Sequence, residues 1–151
     1  MSGASDRPWR LAAALCGVVV ALDQAAKALA ESELYPGEQV DLIGPLDLTL
    51  AHNRGIAFGL AGDGGGLLIA FTVISLCFIG WLFARDPQRS GMWVAVGLLV
   101  GGALGNLVDR VRADAVTDYI DVLGWPPFNV ADIAITVGVG LLAIRFLTEP
   151  R

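Results

Sequence analysis

The chain has 151 residues, 55% of them hydrophobic and only 17% charged, against roughly 25% charged in a water-soluble domain. The length suits a single domain over 1–151, and the balance excludes a soluble globular protein in favour of an integral membrane protein. A formal net charge of −5 with no long basic run excludes nucleic acid as partner, because phosphate backbones are held by clustered Lys and Arg.

Residues 1–8 read as a polar, flexible start. Arg7 and Arg10 precede an apolar run over 11–30, long enough for the ~20 residues a membrane helix needs. A basic start before an apolar run also fits a cleavable leader, but three further apolar segments follow. A lipobox at Cys16 is disfavoured by the bulky Leu15 before it. Asp23 and Lys27 lie four apart inside this run, on one helix face, and are expected to form a structural ion pair. The other reading, Lys27 as base to a serine, lacks a well-placed serine. Cys16 and Cys77 both sit in apolar runs and read as small buried residues. With His52 the only histidine and neither cysteine near it in sequence, no zinc site is expected.

Residues 31–66 are polar. Glu31, Glu33, Glu38, Asp41, Asp47 and Asp63 are acidic and Arg54 alone is basic. From Val40 to Leu50 the pattern alternates as strands do, broken at Gly44-Pro45. His52-Asn53-Arg54-Gly55-Ile56-Ala57-Phe58-Gly59 suggests a tight turn, and Gly62 to Gly66 a flexible hinge. Further spans are expected over 67–84, 92–108 and 130–147. The third contains Gly97-x-x-x-Gly101 and Gly101-x-x-x-Gly105, spacings that permit close helix contact. Between the third and fourth spans a short polar loop is expected to carry Asp118 and Asp121, ending in a Pro126-Pro127 stop. The predicted fold class is all-α membrane protein, four spans with a small β-like segment between the first two.

Arg7, Arg10, Arg85, Arg89, Arg145 and Arg151 fall on one side of this arrangement, and Arg54, Arg110 and Arg112 on the other. Six against three puts both termini in the cytoplasm and the acidic loops outside. Five of the fifteen acidic residues lie between Gly101 and Asp132. Ionisable groups at a membrane boundary are costly, so such a cluster is a functional-site hypothesis by default. Two carboxylates held close share a proton, and the pair can then act as base and acid on water and an amide carbonyl. Asp132 stands where the dipole of the fourth helix favours an anion, and Asp118 can converge on it from the loop. Asp109 and Asp121 read as loop salt bridges or solvated charge. Asn53, Asn106 and Asn129 have the donors and acceptors to orient a carboxylate or hold a peptide backbone, or, for Asn129 above all, to cap a helix.

Five motifs occur in order: Asp23-x-x-x-Lys27; Asn53-x-Gly55-x-Ala57-Phe58-Gly59; Gly105-Asn106-x-x-Asp109-Arg110; Val116-x-Asp118-Tyr119; and Phe128-Asn129-x-Ala131-Asp132. In these the chain resembles the lipoprotein signal peptidases, the type II signal peptidases of bacteria. The resemblance implies an aspartic endopeptidase of the bacterial inner membrane. It would cut diacylglyceryl-modified prolipoproteins just before the lipidated cysteine, with no cofactor or metal. It implies Asp118 and Asp132 as the catalytic dyad, with Asn53, Asn106, Arg110 and Asn129 as supporting or substrate-contacting residues. Asp23 and Lys27 would be architectural, and Asp109 an anchor for Arg110 or the loop. Partners would be the prolipoprotein and membrane lipids, and one chain holds a complete site, as a functional monomer would. Residues 31–66 would cover the site as a lid or platform. Two other readings compete. In one, Asp109, Asp118, Asp121 and Asp132 hold Mg²⁺ in a membrane transferase. In the other, the chain is a small non-catalytic channel or interaction protein.

Overall fold

Each apolar run becomes a helix in the computed structural model, which describes residues 6–55 and 64–148. Ala57, Phe58 and Gly59 of the second motif, most of the flexible start and part of the hinge lie outside the described residues. The helices are α1 (Arg7–Glu33), α2 (Gly64–Arg85), α3 (Met92–Ala113) and α4 (Val130–Thr148). All four are long and apolar enough to cross a membrane.

Two helices outrun the spans expected from hydrophobicity. The 27 residues of α1 rise about 40 Å at 1.5 Å each, beyond a hydrocarbon core of about 30 Å. Its last turn therefore carries Glu31 and Glu33 past the apolar run. The helix ends at Leu34, whose extended backbone leads into Tyr35-Pro36, where helix is disfavoured before proline. The α3 helix continues through Asp109 to Ala113, with Arg110 and Arg112 in its last turn and Asp114 in the left-handed conformation as its cap. Basic side chains suit the negative end of the helix dipole. Apolar periodicity marks the immersed part of such a helix and says little about where the backbone stops being helical.

The centre of the bundle is α3: half of its span is buried, against 6% for α2. Its glycines make this possible. A β-carbon on Gly101 would lie 2.7 Å from Val19 Cβ of α1, one on Gly105 2.5 Å from Asp23 Oδ2, and one on Gly102 would collide with the Ala131 carbonyl of α4. The small residues thus bring α1 and α4 against α3 on two faces. At one end of the bundle Ala12, Phe83, Met92 and Val96 form an apolar core. The polar side chains that matter for chemistry collect at the other end.

There a three-stranded antiparallel sheet stands on the helices, in the order β1 (Gln39–Ile43), β2 (Leu46–Asn53), β3 (Val116–Val122). Gly44, at φ 60°, and Pro45 make the hairpin turn between β1 and β2. The stretch around Asp118 is the third strand and not the expected polar loop. Its Val116, Tyr119, Ile120 and Val122 suit a pleated surface, and β2 supplies its backbone partners. Phe128 then pairs with Ile120 on the free side of β3, bonding through Phe128 N to Ile120 O at 3.0 Å and Ile120 N to Phe128 O at 2.9 Å. That pairing sets Asn129, the next residue, beside β3 as the chain turns into α4.

Candidate active site

Asp118, Asn129, Asn106 and Asp132 converge where β3 meets α3 and α4. The strand presents Asp118 opposite Ala51 of β2, and Asn53 follows on the same face two residues on, since side chains alternate along a strand. Asp118 is 2% exposed and Asn129 fully buried. Asp132 lies in the first turn of α4.

The amide orientations follow from the groups around them. The Asp132 N–H donates to Asn129 Oδ1 at 3.0 Å. The Asn129 N–H in turn donates to Asp132 Oδ2 at 3.3 Å. This reciprocal pair is a capping box, which satisfies two N–H groups at the start of the helix. With its oxygen so committed, Asn129 must turn its NH₂ the other way, and Nδ2 donates to Asp118 Oδ1 at 2.7 Å. One asparagine therefore bridges both carboxylates.

Asn106 is fixed in the same manner. Lys27 Nζ donates to Asn106 Oδ1 at 2.9 Å, leaving Asn106 Nδ2 to donate to Asp132 Oδ1 at 2.8 Å. The ammonium also lies 2.8 Å from Asp23 Oδ2 and 2.6 Å from Asp109 Oδ2, so its three hydrogens are all engaged. Asp23 Oδ1 accepts the Ala131 N–H at 2.9 Å, a third tie on the start of α4. Asp109 anchors the stretch after α3, as expected, by accepting the Thr117 N–H at 3.4 Å, and it also pairs with Lys27 and, at 2.8 Å, with Gln24 Nε2. It does not anchor Arg110, its neighbour on a helix, where adjacent side chains point apart. Asp121 is no solvated loop charge. It is buried on β3 and accepts the Gly124 N–H at 3.2 Å.

Burial pushes the Asp118 carboxyl up to about 6, and the Asp132 charge adds to the rise. The side-chain amides of Asn53 and Asn129 and the charge of Lys27 hold it back. A carboxyl so placed can carry a proton that its neighbour lacks. The polar shell reaches further than the motifs suggest. Thr117 Oγ1 donates to Glu31 Oε1 at 2.6 Å, and Gln24 stands between α1 and α3. Gln24 was detectable as a third polar residue inside the first apolar run. Arg110 is half-buried on α3 and makes no side-chain hydrogen bond or ion pair with the described residues. Tyr119 is buried and its hydroxyl makes no hydrogen bond of good geometry. Burial and the Asp23 charge push the phenol up, while the nearby Val130 N–H opposes them. Among the described residues no three His, Cys, Asp or Glu side chains converge as a metal-holding group.

A groove of about 550 Å³ opens beside Asp132, lined by Trp125, Pro126, Phe128, Ile133, Thr136 and Val137 among others. It is mostly apolar, with one carboxylate at its wall.

A family model described as signal peptidase (SPase) II matches residues 15–148. A lipoprotein signal peptidase of Coxiella burnetii is 40% identical over 152 residues, covering 95% of this chain and 91% of its own. That of Halothermothrix orenii is 38% identical over 136 residues, covering 89% and 93%. A bacterial membrane enzyme solved by the in meso method at 1.9 Å resolution superposes with a TM-score of 0.86 at 32% identity, covering 92% of this chain and 94% of that one.

Proposed function

The chain belongs to the signal peptidase II family of membrane peptidases, and from that premise we propose that it cuts diacylglyceryl-modified prolipoproteins just before the lipidated cysteine. The observation that carries the mechanism is the Asn129 bridge between Asp118 and Asp132. A water lying between the two carboxyls is activated by the ionised one. The protonated one donates to the scissile carbonyl oxygen, and attack gives a tetrahedral intermediate. The proton taken from water then passes from the first carboxyl to the amide nitrogen, a hydroxyl proton of the intermediate returns to the second as the carbonyl re-forms, and the C–N bond breaks to release the new amino terminus. Asp118, pushed up by burial, carries the shared proton. Asp132 accepts from Asn106 and Asn129 at the positive end of α4, an environment that suits an anion.

The apolar groove along the start of α4 accepts the apolar part of the substrate beside Asp132. The sheet forms a platform over the bundle end, and Asn53 and Arg110 contact the substrate backbone there. The count of six arginines against three supports an orientation with this end at the outer face of the inner membrane and both termini in the cytoplasm. The lipid of such a substrate lies in the outer leaflet, so its scissile bond is at the level of the dyad.

Synthetic pro-peptides with and without diacylglycerol on the cysteine test the reading. Mass spectrometry is expected to find a product beginning at the lipidated cysteine, with little turnover of the unlipidated peptide. A cut at another bond, or equal turnover of both peptides, would refute it.

A further inference from the structure

The bundle end opposite the dyad holds a second concave site. A pocket of about 500 Å³ opens between the starts of α1 and α3 and the turn before α3, lined by Arg7, Pro8, Leu11, Arg89, Gly91 and Trp93 among others. We propose that it binds the phosphate of an anionic phospholipid from the cytoplasmic leaflet.

Three independent features point to that ligand. The first is side-chain charge. Arg7 and Arg89 line the pocket, and the Arg145 guanidinium packs against Gly91, where any β-carbon would collide with it. Arg89 is tied to α4 at the pocket's edge, with Nη2 donating to the Arg145 carbonyl at 3.3 Å and the guanidinium 5.0 Å from the centre of the Phe146 ring. Among the described residues of the three segments at this end, Arg7, Arg10, Arg85, Arg89 and Arg145 stand against Asp6 and Asp86. The second is backbone charge. The start of α3 faces the pocket with Gly91 as its cap, without a side-chain cap bond and without an acid in the first turn, so one positive helix end adds to the guanidinium field, whereas α1 carries Asp6 at its cap. The third is the wall: Pro8, Leu11 and Trp93 are apolar, and a Trp at this depth is typical of the bilayer interface. A soluble anion would gain nothing from that wall, whereas a lipid gains both a phosphate site and a surface for its glycerol and first methylenes. Basic pockets between spans on the cytoplasmic side bind acidic headgroups in this way.

Assignment to the inner leaflet rests on the orientation proposed above, but the preference for a phosphodiester does not. Native mass spectrometry of the detergent-purified chain with equal phosphatidylglycerol and phosphatidylcholine is orientation-independent. Phosphatidylglycerol is expected to be retained preferentially. Arg7→Gln and Arg89→Gln should each lower its occupancy relative to phosphatidylcholine about fivefold, from ~1 kcal/mol per basic group. Arg7→Lys should keep it. Peptide cleavage by all three variants should stay at the wild-type level, which also reports that they fold. Equal retention of the two lipids, or unchanged preference in both Gln variants, would overturn the proposal. Displacement of the lipid by millimolar inorganic phosphate would assign the pocket to a free anion instead and overturn the lipid reading. An inverted topology, shown by cysteine labelling, would leave the lipid preference intact and change only the leaflet.

Discussion

Asn129 and Asp132 hydrogen-bond each other twice, each backbone N–H to the other's side-chain oxygen, at 3.3 and 3.0 Å. The cap that starts α4 and the proposed catalytic carboxylate are thus one structure, and the same asparagine reaches Asp118 with its remaining donor. The two duties can be separated by mutation. Asn129→Ser keeps a capping oxygen, because Ser and Asn cap about equally well, and removes the amide donor without burying a new charge. Turnover of this variant should fall about 10–100-fold, the kinetic equivalent of a lost charged hydrogen bond of ~1.5–3 kcal/mol. Asn129→Ala should lose the cap as well, and with it a further ~1 kcal/mol of stability. Calorimetry beside a cleavage assay distinguishes them. Equal loss of stability in both variants would contradict the division of labour.

Lys27 reaches the dyad only through Asn106, but it also neutralises Asp23 and Asp109, and its side chain is nearly inaccessible. Removing one partner from a buried ionic cluster costs about 3–5 kcal/mol, because the charges left behind lose their compensation. Lys27→Met should lower the melting temperature sharply in detergent. Adding Asp109→Asn should recover part of the loss, since one stranded charge disappears. A double variant no more stable than Lys27→Met would show that the ion cluster is not what the lysine supports.

The Asp118 carboxyl is raised to about 6 by burial, and the sign of its effect follows. Below the ordinary carboxyl range, both folded and unfolded chains hold the proton and the group contributes nothing to the pH dependence. Between that range and about 6 the folded chain binds the proton more tightly, so stability falls as pH rises through the window. Above about 6 the cost of the buried charge is complete, on the order of 2–3 kcal/mol at most. Asp118→Asn should therefore melt higher than wild type at pH 8, and the advantage should vanish near pH 4. In the wild type, kcat/KM should decline as pH rises through about 6, because the proton donor is lost. Melting curves of both proteins across pH 4–8, with a pH–rate profile of the wild type, check these expectations. An Asp118→Asn variant that melts lower than wild type at pH 8 would argue against a desolvated carboxylate.

The four helices were legible because each requires a long apolar run, and such runs survive any detail of packing. The close contacts of α3 were legible in its glycine spacing. β3 was not, since its pairing partner β2 lies some 70 residues away and Thr117, Asp118 and Asp121 give it the polarity of a loop. The end of α3 was set too early, at 108, for a related reason: a charged pair ends hydrophobicity but does not end a helix, and Lys27 draws the Asp109 carboxylate inward. The acids and amides that converge could be picked out by chemical type and motif. That Asn129 joins them, with its orientation set by a helix cap, required the fold.

Cleavage of a diacylated pro-peptide by Asp118→Asn and Asp132→Asn decides whether the two carboxyls act as a catalytic pair. Each variant should insert and bind substrate yet lose turnover by several orders of magnitude, since neither leaves a pair that can share a proton, and chelators should leave the wild-type rate unchanged. Turnover near the wild-type rate by either variant would contradict the aspartate dyad.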